Sequence, residues 1–190
     1  YTSVPNIMKV IGPLFLDELH EEFDKAQDSD TRLRKLLYRI HNLHIFDPAC
    51  GSGNFLIITY KELRRLEMTI LKQFNELPIS GIRLDHFHGI EIDDFAHETA
   101  KLSMWLAEHQ MNREFEEVMG RTVPSLPLVA ACDVVARNAC RMDWRKIIPV
   151  DSEVFLLGNP PYVGYSLQTV DQRLDMSTAI NGDWIGIADY

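Results

Sequence analysis

Three short stretches of this chain put chemically useful groups into the kind of turn that follows a β-strand. The first is Asp47-Pro48-Ala49-Cys50-Gly51-Ser52-Gly53-Asn54-Phe55, where Gly51 and Gly53 let the backbone turn tightly and approach a ligand. The second starts at Glu91 and runs through Ile92, Asp93 and Asp94; the third is Asn159-Pro160-Pro161-Tyr162. The third suits chemistry on an amine. An exocyclic amine on an aromatic base is a poor nucleophile because its lone pair is delocalised into the ring. Acceptors on its two hydrogens, the Asn159 side-chain carbonyl and the Pro160 backbone carbonyl, would favour a tetrahedral nitrogen and free that pair. Pro160 and Pro161 hold the turn rigid, as positioning catalysis requires. Tyr162 offers a flat face on which an extruded base can stack. The bland alternative is a strand stopped by prolines.

The first stretch reads as a cofactor cradle. No Gly-Lys-Ser/Thr follows it, so it is not a Walker loop, and the third glycine of the dinucleotide fingerprint is absent. A cofactor without phosphates is favoured. S-adenosyl-L-methionine suits, with its methionine end and sulfonium along the backbone near Asp47. Glu91, at the end of the next strand, can accept both ribose hydroxyl hydrogens of a nucleoside, and Ile92 would line the adenine slot. Asp93 and Asp94 are more simply the cap and first-turn acid of a following helix. His86 and His88 alternate on one strand face and could meet His97 or His109 at a metal, but methyl transfer needs none and no metal is expected.

The elements that must hold these turns follow from hydrophobic periodicity. After an extended start, Ile7 to Leu19 and Leu33 to Ile40 predict two leading helices, separated by a polar loop over Lys25 to Ser29, with Ser29 or Asp30 as cap. Leu43 to Asp47 predicts a strand and Phe55 to Phe74 a helix. Phe87 to Ile92 and Phe95 to Met111 repeat the unit, with Leu102, Met104 and Trp105 expected in the core. A stretch containing Pro124 and Pro127 follows, then a weaker strand over Val134 to Arg137. Val154 to Leu157, stopped by Gly158 and Asn159, predicts a central strand. The expected class is therefore α/β: a Rossmann-like, doubly wound, mostly parallel sheet with N-terminal helices and ligands at the carboxyl ends of its strands. Residues 1–42 form the helical lead-in and 43–190 the catalytic part.

Composition sets limits. The 190 residues, 46% of them hydrophobic, suffice for one core. No apolar run approaches the roughly 18 residues of a membrane span, and no secretion signal opens the chain. Cys50, Cys132 and Cys140 form no CxxC pair, so no disulfide framework or zinc ribbon is suggested and a cytoplasmic location is expected. The net charge of −9 argues against tight phosphate binding by these residues alone. Arg32, Arg34, Lys35 and Arg39 cluster on one probable helix, read as a solvated face.

Asp47-Pro48-Ala49-Cys50-Gly51-Ser52-Gly53-Asn54-Phe55-Leu56, followed about a hundred residues later by Gly158-Asn159-Pro160-Pro161-Tyr162, resembles motifs I and IV of the amino-methyltransferases. The resemblance implies transfer of a methyl group from S-adenosyl-L-methionine to N6 of a flipped adenine, leaving S-adenosyl-L-homocysteine. It also implies that Asp47, Pro48, Ala49, Gly51, Gly53, Asn54, Phe55, Glu91, Ile92 and Asn159 contact the cofactor. Cys50 is assigned no chemistry. Tyr1-Thr2-Ser3 looks like the motif at the cofactor's methionine end, with Thr2 and Pro5 as contacts; its place before motif I marks the gamma arrangement.

Pro13 to Leu19, Arg64-Arg65-Leu66-Glu67, Trp105 to Asn112 and Asn138 to Trp144 narrow the resemblance to the MmeI-like single-chain restriction-modification (type IIG/IIS) methylases. Asn138 then stands where relatives often carry an aspartate on the cofactor's adenine amino group; asparagine both accepts and donates. On this resemblance the chain is expected to be a methylase-domain fragment. It would reach double-stranded DNA through regions missing here and would bind DNA weakly alone, and a nuclease domain is a candidate further part of the same parent chain. Methylation of RNA or of protein glutamine, and an inactive cofactor-binding scaffold for a partner nuclease, are the alternative readings.

Overall fold

A computed structural model describes residues 2–120, 132–149 and 151–179. Tyr1, the stretch with Pro124 and Pro127, and the expected ending at Asp189-Tyr190 lie outside the described residues. Four parallel strands, β1 (His44–Asp47), β2 (Phe87–Glu91), β3 (Asp133–Ala136) and β4 (Val154–Leu156), form one sheet in the order β3-β2-β1-β4. The chain steps outward from β1 to β3 and then returns to the other side of β1. That reversal makes the gap between β1 and β4 the switch point where such sheets hold ligands. The expected α/β class is what the structure shows. β4 differs from expectation: among the described residues it stands at the end of the sheet, with Leu156 53% exposed, and β1 and β2 are the interior pair. A short apolar run reads as central whichever place it takes, because periodicity carries no information about neighbours.

The helices are α1 (Val4–Ile11), α2 (Asp17–Ala26), α3 (Asp30–His41), α4 (Asn54–Leu71), α5 (Asp94–Met119) and α6 (Val170–Ala179). The extended start is shorter than expected, because Pro5 falls in the first turn of α1, where its missing N–H is no loss. A π-turn over Gly12–Leu16 joins α1 to α2 and contains Pro13, which cannot donate to a regular helical ladder. Ser29 caps α3 by accepting the Arg32 N–H. Asp93 caps α5 by accepting the Ala96 N–H at 2.7 Å, with Asp94 in the first turn, as read from the sequence.

α5 runs past Met111 to Met119 and stops at Gly120, whose φ of 67° is left-handed. Its buried line is His97, Ala100, Met104, Ala107, Met111 and Phe115. Only Met104 of the three expected core residues is buried; Leu102 and Trp105 are 56% and 40% exposed. The apolar residues of this segment cover more than one helix face, so composition does not show which side turns inward.

One face of the sheet, with Ile45, Phe87 and Val134, shares a core with α1 to α5, and Phe15 stacks on Phe155 at 4.7 Å. On the other face Phe46 meets Trp144 edge-on at 5.3 Å. A buried charge network braces the helices. Glu67, fully buried, accepts from His41 Nε2, Ser80 Oγ and the Gly81 N–H, each at 2.7 Å, and from the Ile82 N–H at 3.3 Å, with Arg64 Nε 3.2 Å away. Arg64 also donates to the Tyr60 hydroxyl and to Asn112. The Arg64-Glu67 pair thus joins α3, α4, α5 and the approach to β2.

The basic residues of α3 are largely spent on ion pairs. Arg32 pairs with Asp28, Arg34 with Glu76, and Arg39 with Glu18, Glu22 and Glu153. Rather than a simply solvated face, this is an anchored one: Arg39 ties α3 to α2 and to the residue before β4.

Replacing Glu67 by Ala takes from the buried Arg64 the carboxylate it is in contact with, so urea unfolding of Glu67→Ala should show a loss on the order of 3–5 kcal/mol. Glu67→Gln, which keeps the shape and an acceptor, should lose less. Equal losses in the two variants would mean that charge contributes nothing here.

Candidate active site

The carboxyl ends of β1, β2 and β4 converge on two adjoining clefts. Asp47 ends β1 and is 1% exposed; its Oδ1 accepts the Ala49 N–H at 3.0 Å. Gly158, just after β4, has φ 152°, and a Cβ there would lie 2.5 Å from the same Oδ1. Glycine at 158 is therefore what lets the backbone leading into Asn159 press against Asp47. Burial raises the Asp47 carboxyl; the Ala49 N–H opposes this and Glu91 adds to it, leaving it pushed up to about 7.

Gly51 and Gly53 both take left-handed φ, 54° and 85°. Gly53 does so against α5, where a Cβ would stand 3.3 Å from the Cβ of Ala100, whereas Gly51 faces open space. Cys50 beneath them is buried and its thiol is pushed well up by burial, so it offers no thiolate. Glu91 closes the arrangement. One carboxylate oxygen accepts the Gly51 N–H at 2.8 Å and the other the Asp93 N–H at 2.9 Å, which locks the glycine loop to the turn after β2. Each oxygen has a second lone pair for a ligand.

The larger cleft, about 350 Å³, is lined by Pro48, Ala49, Glu91, Ile92, Asn138, Pro160 and Pro161, with Trp144 and Met176 also on its wall. The smaller, about 250 Å³, is lined by Thr2, Asp47, Ala49, Gly51, Asn54, Phe55 and Asn159. Ala49 is common to both. The Asn159 amide donates to Thr2 Oγ1 at 3.1 Å, so the chain start and the Asn-Pro-Pro-Tyr loop meet at the smaller cleft. Tyr162 is 76% exposed and lines neither cleft. Gly53 and Pro5 also line neither: Gly53 acts beneath the loop and Pro5 within α1. Met176 was missed from the sequence because it arrives on α6, and an isolated methionine in a mostly polar helix carries no signal of a cleft.

The histidines go elsewhere. His88 bonds His44 at 2.8 Å and Asp133 at 3.2 Å, His86 stacks on His44, and His97 bonds the Val134 carbonyl. Burial and the neighbouring imidazoles hold His44 down at about 4. Among the described residues no three His, Cys, Asp or Glu side chains are grouped to hold a metal, and no helix is long and apolar enough to cross a membrane.

A parallel sheet ordered in this way, with a glycine loop, the Glu91 carboxylate and the Asn159-Pro160-Pro161-Tyr162 loop at three neighbouring strand ends, has the architecture of a Rossmann-type methyltransferase domain. Comparison with known proteins gives the family. A profile of the MmeI DNA-methyltransferase domain matches residues 23–190, and the chain belongs to that family. It is 53% identical over 184 residues to DNA methyltransferase A of Bacillus subtilis, covering 93% of this chain and 21% of that protein. Its fold matches that of the type IIL restriction-modification enzyme MmeI, solved in complex with DNA, with a TM-score of 0.88 and 39% identity over 94% of this chain and 25% of that one. The chain thus spans about a fifth to a quarter of the length of these relatives.

Asp47 gives the site a testable pH dependence. Its carboxyl holds a proton more tightly when folded (about 7) than unfolded (roughly 3.9), so the native state binds more protons and stability falls as pH rises through that window, levelling off above it. Asp47→Asn removes the titration while keeping an acceptor for the Ala49 N–H. At pH 8 the variant should be more stable than the native chain by roughly 2–4 kcal/mol, and at pH 4 close to it. Denaturation at both pH values checks this; a stability difference that does not change with pH would show that Asp47 titrates normally.

Proposed function

We propose that this domain binds S-adenosyl-L-methionine across the two clefts and, within a longer parent enzyme, methylates adenine N6 in double-stranded DNA. The observation that carries the reading is the exposed Asn159-Pro160-Pro161-Tyr162 loop, held against Asp47 through Gly158 at the junction of both clefts. The residues fit the cofactor. Asp47 is a buried carboxylate with one backbone N–H on the oxygen facing Gly158, suited to the ammonium of a methionine end. Glu91 is held with both oxygens at the larger cleft for the ribose hydroxyls, and Ile92 and Asn138 flank the place of the adenine. Thr2, Gly51, Asn54 and Phe55 would hold the methionine end, and Pro48 and Ala49 the passage between.

The cofactor, when bound, supplies an electrophilic methyl group. The chain's own part is to prepare the nucleophile. Asn159 Oδ1 and the Pro160 carbonyl accept the two N6 hydrogens, which frees the nitrogen lone pair. Pro160 and Pro161 keep those acceptors from moving with the substrate. Tyr162, largely exposed, gives the extruded base a surface to stack on. No covalent enzyme intermediate is required. The DNA reading is supported by the Bacillus relative's name and by the MmeI complex with DNA. With −9 net charge and the arginines of α3 already paired, these residues contribute little phosphate binding, which falls to other parts of the parent protein. A nuclease in that parent and a cytoplasmic location accord with a restriction-modification role.

Calorimetric titration with S-adenosyl-L-homocysteine tests the site. The native chain should bind. Glu91→Ala should weaken binding by about 10- to 100-fold through the lost charge-assisted hydrogen bonds. In the parent-length enzyme Asn159→Ala should lower adenine methylation by roughly 100- to 1,000-fold while leaving most of the cofactor affinity. A folded native chain that does not bind the ligand would refute the cofactor assignment; methylated cytosine or RNA in place of methylated adenine would refute the substrate.

A further inference from the structure

Asn138, just beyond β3, lies between two groups that leave its amide no choice of orientation. Its Nδ2 donates to Asp175 Oδ2 at 2.7 Å, and its Oδ1 accepts the Cys140 N–H at 2.9 Å. Turned over, the amide would point its oxygen at a carboxylate and its NH2 at an N–H, two repulsive contacts in place of two hydrogen bonds. Asp175 is 4% exposed, sits on α6 and with its other oxygen accepts from Arg141 Nε. Its neighbour Met176 lines the larger cleft together with Asn138. The helix that follows the Asn-Pro-Pro-Tyr loop is therefore docked, by a buried carboxylate, onto the residue beside the adenine slot.

We propose that Asp175 is a positioning residue for cofactor recognition: it holds Asn138 with the carbonyl oxygen as the acceptor for the cofactor's adenine amino group. The inference rests on the S-adenosyl-L-methionine reading above. A carbonyl oxygen accepts two hydrogen bonds, so the bond from Cys140 is compatible with a second from an amino group. The same geometry explains the asparagine. An aspartate at 138, which is half-buried, would set its carboxylate against the buried one of Asp175, where like charges disfavour each other. With Asp175 present, position 138 has to be a neutral amide, and the two residues form a coupled pair whose chemistry can be exchanged between them.

The test compares the native chain with Asn138→Asp, Asp175→Asn and the double variant carrying both, each checked for folding by thermal melting. Binding of S-adenosyl-L-homocysteine and of its 6-oxo counterpart, S-inosyl-L-homocysteine, is measured by calorimetry. The native chain should prefer the 6-amino ligand by about tenfold or more, as expected when a hydrogen-bonded amino group is replaced. Asn138→Asp should weaken S-adenosyl-L-homocysteine binding by a similar factor, and Asp175→Asn should narrow the preference between the two ligands. The double variant, in which the amide and carboxylate have changed places, should recover most of both. Variants that melt lower yet keep native affinity and preference would reduce Asp175 to a structural role and overturn the proposal, as would a double variant no better than Asn138→Asp. Either result leaves the cofactor reading standing, whereas a folded native chain that binds neither ligand removes both.

Discussion

The contact on which the site depends is the burial of Asp47 against the backbone at Gly158. A carboxylate 1% exposed, with a hydrogen bond from Ala49 and pressed by a neighbouring strand's exit turn, is costly to form. The sheet supports it because β1 and β4 are adjacent and parallel, so their carboxyl ends arrive together. A side chain at 158 would occupy the same space as the Asp47 oxygen, and the loop that begins at Asn159 would have to move away. Glu91 performs the matching task on the other side, clasping the glycine loop to the turn after β2 with both oxygens.

Charge elsewhere is used inwardly. Arg64 and Glu67 lie buried in a network with His41, Tyr60, Ser80 and Asn112, and Arg39 is surrounded by three glutamates. Such pairs contribute specificity of packing more than net stability, since removing charges from water offsets most of their attraction. Their geometric effect is clear: they fix α3 to α4, α4 to α5, and the lead-in to the strand that ends at the Asn159-Pro160-Pro161-Tyr162 loop. The net charge of −9 and the internally paired arginines belong to a chain that spans about a fifth to a quarter of the length of its relatives.

Much of the local geometry of the candidate site was legible in the amino-acid sequence. Glycines that must turn left-handed, prolines that stop a strand, an acid at a strand's end and a capping aspartate all act through local backbone chemistry, so Gly51, Gly53, Glu91, Asp93 and the Asn159-Pro160-Pro161-Tyr162 turn declared themselves by type and spacing. The strands and helices followed from periodicity for the same reason: a period of two or of 3.6 is a property of neighbouring residues.

What only the tertiary structure decided is which distant groups meet. That β4 stands at the end of the described sheet, that α5 turns Met104 inward and leaves Trp105 partly out, that Thr2 reaches Asn159, and that Asp175 and Met176 return from α6 to the larger cleft all depend on contacts across long stretches of chain. So does the raised Asp47 carboxyl, whose cause is burial. Local sequence specifies conformations at small cost and states them openly, whereas burial, pairing and strand order emerge when the whole core closes, because they minimise exposed apolar surface and unpaired polar groups together.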